Sequence, residues 1–307
     1  MIEYSQRALL PEGLHDDLMP LAEAEARVTQ QLTACFTTHG YDLVAPPLIE
    51  FENSLLAGPG AARSDRMFRL MDPLGQATLA LRSDITPQIA RLAATRLAEA
   101  PRPLRLAYSG QVLRVRGNQL HPERQFTQTG AELIGVDTTA ANAEVILLAV
   151  EALEALGVEG LSVDLIQPTL VPAICRAFGM DQETTEKVRA ALDSKDVGAL
   201  STIGGEAEKL LGRLLAAAGP ADNAFKHLSG LDLPDVAAQK CQALWDTCAQ
   251  IRDAKPGLKV TVDPGESRGF RYHTGVCFSF FAAHGHRELG RGGRYLIDSM
   301  EDGTGED

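Results

Sequence analysis

Two long apolar-rich runs narrow the possible folds of this chain more than any other feature. They cover residues 104–113 and 126–134, and a polar loop rich in arginine separates them. Two runs of strand length around a polar loop predict an antiparallel hairpin. The chain is therefore expected to build a sheet, with a long hairpin as one of its main parts.

Shorter patterns surround this hairpin and set the fold class. Strand signals lie at 41–50, 67–70, 78–81, 161–166, 258–262 and 276–280, and helix signals at 21–36, 84–97, 142–156, 186–192, 206–218 and 236–251. Helix signals alone fill the stretch from 168 to 255, and strand signals return after it. We therefore predict an α+β fold in three segments: a core from 1–167, an all-helical insertion at 168–255, and completion of the sheet with a tail at 256–307.

Composition excludes several classes of protein. The 307 residues are 45% hydrophobic and 23% charged, as in soluble globular chains, and these fractions exclude disordered, collagen-like and low-complexity proteins. No apolar run reaches the roughly 18 residues that cross a bilayer, and the first residues do not resemble a signal peptide, so a cytoplasmic protein is expected. The five cysteines are scattered without a C-x-x-C pair, which predicts reduced, packed thiols and no metal site.

The charge distribution gives the first functional indication. A net charge of −12 predicts a surface that repels nucleic acid. Two stretches are nevertheless rich in arginine: Arg102, Arg105, Arg114, Arg116 and Arg124, and later Arg268, Arg271, Arg287, Arg291 and Arg294. These arginines are either solvated strand ends or parts of a pocket for a carboxylate or phosphate group, which the planar guanidinium binds with two hydrogen bonds.

Five motifs follow one another along the chain, at residues 40–50, 81–88, 110–132, 268–275 and 292–295. Their order resembles the histidyl branch of the class II aminoacyl-tRNA synthetases. Residues 40–50 are similar to the dimer-interface motif of that family, and 81–88 to its substrate-binding segment. Residues 110–132 match the second class II motif, while 268–275 and 292–295 resemble the two histidine signatures. The resemblance implies a mostly antiparallel sheet flanked by helices, with a helical insertion.

The same resemblance implies a histidine-binding site. A histidine ligand has a carboxylate, an ammonium group and an imidazole, so its pocket needs a cation, carboxylates and oriented hydrogen-bond partners. Arg268 suits the carboxylate, Glu132, Gln128 and Asp84 suit the ammonium and a ring nitrogen, and Tyr272 and His273 form a wall for the imidazole. The full candidate set is Asp84, Thr86, Arg114, Gln128, Glu132, Arg268, Tyr272 and His273. Each of these residues taken singly is also compatible with a polar group that simply satisfies the backbone.

Departures from the synthetase pattern point to a non-catalytic relative. Arg116 stands where the synthetase motif has a glutamate near ATP, and Arg271 stands where the family has an aspartate. The third class II motif is expected after Tyr295 and is not found there. The run at 82–88 is typical of the regulatory subunits of ATP phosphoribosyltransferase, which are similar to the synthetases.

That family implies a partner and a role. We expect a homodimer that joins a short catalytic subunit, activates it, and binds histidine for feedback in the first step of histidine biosynthesis. The chain itself is expected to hold no catalytic residue, no cofactor and no metal, and to bind neither nucleic acid nor membrane. Two alternatives remain: a histidyl-tRNA synthetase core that forms histidyl-adenylate, and a histidine-binding protein that acts without a partner.

Overall fold

The chain folds as two compact units. The computed structural model describes residues 9–56, 65–117, 122–267, 272–283 and 288–297. The first unit contains residues 1–136 and 297–307, and the second contains residues 137–296. The sequence-based division at 167/168 and 255/256 stays a prediction.

The first unit contains the long hairpin. Its helices are α1 (Leu21–Thr38), α2 (Glu52–Leu56) and α3 (Thr86–Ala94). Its strands are β1 (Asp42–Leu43), β2 (Ile49–Phe51), β3 (Arg69–Met71), β4 (Thr78–Leu81), β5 (Leu104–Leu113) and β6 (Gln125–Ile134). Strands β5 and β6 pair antiparallel along their whole length, and β1 joins the edge of β5 in parallel. Strands β2, β4 and β3 form a second small sheet. The long hairpin expected from the sequence is thus confirmed, and the strand signals at 67–70 and 78–81 correspond to β3 and β4, which also pair antiparallel.

The second unit contains a five-stranded sheet and most of the helices. The helices are α4 (Thr139–Ala155), α5 (Leu170–Ala177), α6 (Gln182–Asp193), α7 (Val197–Ser201), α8 (Gly205–Ala216), α9 (Ala221–Leu228) and α10 (Asp235–Ala254). The strands are β7 (Ser162–Ile166), β8 (Gly219–Pro220), β9 (Lys259–Asp263), β10 (His273–Phe281) and β11 (Glu288–Tyr295). Their order in the sheet is β11-β10-β7-β9-β8.

The sheet of the second unit does continue after the helical stretch, as the sequence predicts. Strand β7 precedes the helices and pairs with β9 and β10, which follow them. The expectation of an all-helical stretch is wrong at one place, because β8 pairs antiparallel with Val262 and Thr261 of β9. In the sequence, Gly219 and Pro220 indicate only the end of a helix. They form the edge strand of the sheet because β9 lies next to them in the folded chain. Among the described strands, antiparallel pairings outnumber parallel ones.

Each unit has its own apolar core. In the first unit Ile85 and Ile89 pack with Leu106, Tyr108 and Val112 of β5. The larger core of the second unit includes Cys175 and Cys248, and Cys277 is fully buried nearby in the sheet. Burial raises the pKa of the Cys248 thiol to about 11. All five cysteines are free thiols, as predicted. Within the described ranges, no helix combines the length and the hydrophobicity that a membrane crossing requires.

The register of the long hairpin places a glycine opposite a buried tyrosine. Tyr108 pairs with Gly130, and Tyr108 is only 4% exposed. A Cβ atom on Gly130 would lie 2.5 Å from the Tyr108 hydroxyl and 2.6 Å from its Cζ. The tyrosine ring therefore occupies the space that a side chain at position 130 would need.

We expect Gly130→Ala to destabilise the protein by about 1–3 kcal/mol, because a rigid, buried ring has to move to admit the methyl group. The measurement is urea unfolding. Gly212→Ala is the control: Gly212 lies inside α8 with no atom within 4 Å of the added Cβ, and alanine there should add up to about 1 kcal/mol of stability. Equal stability of the Gly130→Ala variant and the wild type would contradict this account.

Candidate functional site

Polar side chains of β6 meet the beginning of α3 in the first unit. Alternate residues of a strand share one face, so Gln128, Gly130 and Glu132 lie on the same side of β6. The hydrogen bonds of Gln128 to residues 84 and 85 show that this is the side that faces the start of α3. We call Asp84, Thr86, Tyr108, Gln128 and Glu132 the hairpin cluster.

Gln128 fixes the first turn of α3. Its Nε2 donates to Asp84 Oδ1 at 2.7 Å, and its Oε1 accepts from the Ile85 backbone N at 2.9 Å. Asp84 Oδ1 also accepts from the Thr86 backbone N at 3.1 Å, and Asp84 is 7% exposed. A buried carboxylate needs such donors to offset its lost hydration. The amide of Gln128 therefore holds a negative charge at this end of the cluster.

The hydroxyl of Tyr108 lies close to both Thr86 and Glu132. It lies 3.4 Å from Thr86 Oγ1 and 3.5 Å from Glu132 Oε1. These distances are at the outer limit of hydrogen bonding. The backbone on both sides of the cluster is held by the regular pairing of β5 with β6.

Arg114 lies at the end of the same hairpin. Its guanidinium carbon is 4.6 Å from the centre of the Phe126 ring. Its backbone N donates to the Arg124 carbonyl at 2.7 Å, and Arg124 Nε donates to the Arg114 carbonyl at 3.3 Å. Phe126 and Gln128 are two residues apart on β6, so Arg114 belongs to the face of the hairpin cluster.

Two predicted aromatic residues are in contact in the second unit. The ring centroids of Tyr272 and His273 are 3.9 Å apart, with 32° between the ring planes. Tyr295 lies edge-on to Tyr272 at 6.4 Å. A Cβ atom on Gly293 would lie 2.7 Å from His273 Cδ2, so the glycine lets β11 pass next to the histidine ring. Arg268 and Arg271 lie outside the described residues.

The structure gives several of the clustered arginines a structural role. Arg102 donates to the carbonyls of Leu97, Ala100 and Ala93, and Arg124 donates to that of Glu12. In the second unit Arg291 pairs with Glu288, and Arg294 contacts Asp137, the Thr138 carbonyl and Asn142. These four guanidinium groups thus bind the protein's own oxygen atoms. The hypothesis of one broad pocket for a carboxylate or phosphate group therefore does not apply to these four arginines.

Sequence reasoning missed a buried network that supports the hairpin cluster. Arg82 is 5% exposed and donates to the carbonyls of Gln111 and Pro46 at 2.8 Å and to Gln88 Oε1 at 3.2 Å. Gln88 Nε2 donates to Glu50 Oε1 at 2.8 Å, and Arg91 contacts both oxygens of Glu50. Burial lowers the pKa of Arg82 below its usual value, and the nearby Glu50 carboxylate opposes part of that shift.

This network also explains a glycine of the second class II motif. A Cβ atom on Gly110 would lie 2.2 Å from an Arg82 guanidinium nitrogen. The Arg82 side chain therefore packs directly against β5 at Gly110. In the sequence, Arg82 precedes Asp84 by two residues. Leu106, Tyr108 and Gly110 alternate along β5, and this alternation could have placed Tyr108 on the same face of the hairpin as the predicted residues.

Comparison with known proteins defines the class to which this fold belongs. A family model described as Histidyl-tRNA synthetase matches residues 13–305. A crystal structure of an ATP phosphoribosyltransferase regulatory subunit/histidyl-tRNA synthetase from Bacillus halodurans superposes with a TM-score of 0.82 at 26% identity, covering 94% of this chain and 76% of that one. The fold and the motifs are those of the histidyl-tRNA synthetase class, which confirms the predicted class II fold.

Curated relatives make the assignment more specific. The ATP phosphoribosyltransferase regulatory subunit of Paramagnetospirillum magneticum is 54% identical over 99% of this chain and 80% of its own length. A protein of the same name from Rhodospirillum centenum is also 54% identical, over 94% of this chain and 75% of its own. This chain belongs to the ATP phosphoribosyltransferase regulatory subunits. The family predicted from the motifs, and with it a regulatory rather than a catalytic role, is confirmed.

Arg82→Lys should destabilise the first unit by about 1–3 kcal/mol, because an ammonium group cannot reach the three acceptors that the guanidinium serves. Thermal unfolding measures the effect. Arg96→Lys provides the control, since Arg96 is exposed near the end of α3 and should change stability by less than about 0.5 kcal/mol. If both variants unfold like the wild type, Arg82 does not support the cluster.

Proposed function

We propose that this chain activates a separate short catalytic subunit of ATP phosphoribosyltransferase and carries the histidine site for feedback inhibition. The name of its relatives, regulatory subunit, supports the partnership. The hairpin cluster supports the histidine site, because Asp84, Thr86, Gln128 and Glu132 stand at positions where the synthetase resemblance expects the ligand.

The chemistry of the hairpin cluster suits an amino acid with a free ammonium group. The Glu132 carboxylate contacts the Tyr108 hydroxyl, and Gln128 orients the Asp84 carboxylate. We assign the ligand ammonium to Glu132, with Thr86 and Tyr108 as hydroxyl partners. The adjacent rings of Tyr272 and His273, tilted by 32° to one another, suit an imidazole. The assignment of the ligand carboxylate to Arg268 follows from the motif at 268–275.

Reconstitution tests the proposed function. The full-length chain is mixed with a short catalytic subunit, and formation of phosphoribosyl-ATP is measured with and without histidine. We expect the rate to rise when this chain is added and to fall again with histidine. No rate increase would refute the partnership. Histidine-dependent exchange of pyrophosphate into ATP by the chain alone would favour the alternative of a histidyl-adenylate-forming core.

Glu132→Gln should weaken histidine binding at least about tenfold, because truncating one partner of an enclosed charge pair costs about 2–5 kcal/mol. Titration calorimetry measures the affinity. The histidine concentration for half-inhibition, scaled to each variant's own rate without histidine, should rise in parallel. Glu99→Gln, at an exposed glutamate of the same unit, is the control and should bind like the wild type. Unchanged affinity in the Glu132 variant would place the ligand elsewhere.

We also propose a homodimer through residues 40–50, and the adjoining Phe51 lies at the end of the same edge. The small strands β1 and β2 stand at sheet edges and carry exposed apolar side chains: Leu43 is 58% and Phe51 56% exposed. Pro46 and Pro47 interrupt the segment between them, as in protected edge strands. An exposed apolar edge of this kind is typical of a face that a symmetry mate covers.

Phe51→Glu should convert the dimer into a monomer at micromolar concentration, because the interface would bury an unpaired carboxylate. Sedimentation velocity measures the mass of wild type and variant. Val236→Glu places the same charge on a half-exposed position of α10 and should leave the dimer intact. A wild-type monomer, or a Phe51→Glu dimer, would overturn the proposed interface.

We place the chain in the cytoplasm, where thiols stay reduced. Cys175, Cys248 and Cys277 are packed in the protein interior as uncharged groups, and none of the five cysteines forms a disulfide. Cytosolic proteins commonly keep cysteine in this form.

A further inference from the structure

Side chains bind the start of α3 to the chain around β2. The start of α3 carries Asp84 and Thr86 of the hairpin cluster, and Gln88 lies in its first turn. Gln88 Nε2 donates to the Pro47 carbonyl at 2.7 Å and to Glu50 Oε1 at 2.8 Å, and Gln88 is 1% exposed. The helix turn that presents two candidate ligand groups is thus held by the edge of the small sheet.

Glu50 receives a second side chain of the same helix. Arg91 donates from Nε to Glu50 Oε2 at 3.0 Å and from Nη2 to Oε1 at 2.5 Å. The Glu50 side chain is only 9% exposed. A bidentate pair fixes orientation as well as distance. Glu50 therefore holds α3 at two positions, Gln88 and Arg91, that lie one turn apart.

The loop between β1 and β2 depends on the same side chains for its order. Pro46 and Pro47 have no N–H group and cannot donate to a neighbouring strand. The Pro46 carbonyl accepts from Arg82 Nη1 at 2.8 Å, and the Pro47 carbonyl accepts from Gln88. Arg82 and Gln88 stand on either side of Asp84 in the sequence. The order of this loop and the placement of Asp84 are therefore mutually dependent.

Strand β2 has two faces of opposite character. Alternate residues of a strand point to opposite faces, so Ile49 and Phe51 share one face and Glu50 lies on the other. Ile49 is 40% and Phe51 56% exposed, whereas the Glu50 side chain is buried. The apolar face is the one that the proposed homodimer would cover. A second copy seated there would stabilise the ordered strand, whose other face holds α3.

We propose that Glu50 couples dimerisation to histidine binding. A second copy on the apolar face orders β2, and Glu50 passes that order through Gln88 and Arg91 to the start of α3. This inference rests on the proposed homodimer and histidine site. A ligand that meets an ordered pocket loses less conformational entropy on binding. Since coupling between two binding equilibria is reciprocal, histidine strengthens the dimer in return.

The proposed monomeric variant Phe51→Glu measures the size of the coupling. We expect it to bind histidine about fivefold more weakly than the wild-type dimer in titration calorimetry. Because a dimer has two such sites, saturating histidine should lower the dissociation constant of the wild-type dimer about 25-fold. Sedimentation velocity on a dilution series measures that constant. Equal affinity for histidine in monomer and dimer, or a dimer that histidine does not strengthen, would overturn the coupling.

Glu50→Gln tests whether the coupling passes through this carboxylate. Glutamine keeps the shape and an acceptor for Gln88 but loses the charge pair with Arg91. The variant should remain dimeric, and histidine should strengthen its dimer less than about fivefold. Glu52→Gln is the matched control: it makes the same change two residues later, in an ion pair with Arg69, and should keep the wild-type response to histidine.

A second variant covers the case in which Glu50→Gln does not fold. Arg91→Lys keeps the positive charge without the bidentate geometry and should show the same reduced response. A wild-type response in either variant would overturn the role of Glu50.

Failure of the coupling differs from failure of the proposed function. A wild-type protein that binds no histidine would refute the histidine site, and a wild-type monomer would refute the dimer. A wild-type dimer that binds histidine without any change in its own dissociation constant would refute the coupling alone.

Discussion

The pairing of β5 with β6 is the constraint on which the first unit depends. Register places Tyr108 against Gly130 and leaves Gln128 and Glu132 on either side of the ring. A slip of one residue would turn every one of these side chains to the opposite face. Gly130 therefore leaves room for the Tyr108 ring. The ring in turn places its hydroxyl close to Thr86 and Glu132.

Burial of charge is the second organising principle, and it links the proposed dimer interface to the hairpin cluster. Arg82 lies beneath the hairpin and binds the carbonyl of Pro46, while Glu50 receives Gln88 and Arg91 from α3. A buried guanidinium is stable only when its donors have acceptors. The segment 46–50 and the start of α3 are consequently parts of one hydrogen-bonded structure, which connects the proposed dimer interface physically to Asp84.

The second unit uses glycine and lysine in unexpected ways. The two glycines at 292–293 lie against Phe278 and His273, so the signature serves strand packing. Arg294 of the same motif binds the residues that begin α4. Lys195 takes a position suited to glycine and uses its side chain for Asp263. Motif residues that the resemblance associates with a ligand therefore also hold strands and helices of the second unit in place.

Local pattern determined the hairpins, the helical stretch and the family, because alternation, helical periodicity and ordered motifs are properties of neighbouring residues. Asp84, Thr86, Gln128 and Glu132 were found in this way, and the structure brings them together. Pattern alone missed Arg82, Tyr108 and the contact between Asp193 and Ser267. These depend on pairs separated by many residues, and only the folded chain decides which distant donor meets which buried acceptor. The same holds for the clustered arginines, because a guanidinium binds whichever oxygen the tertiary structure places within its reach.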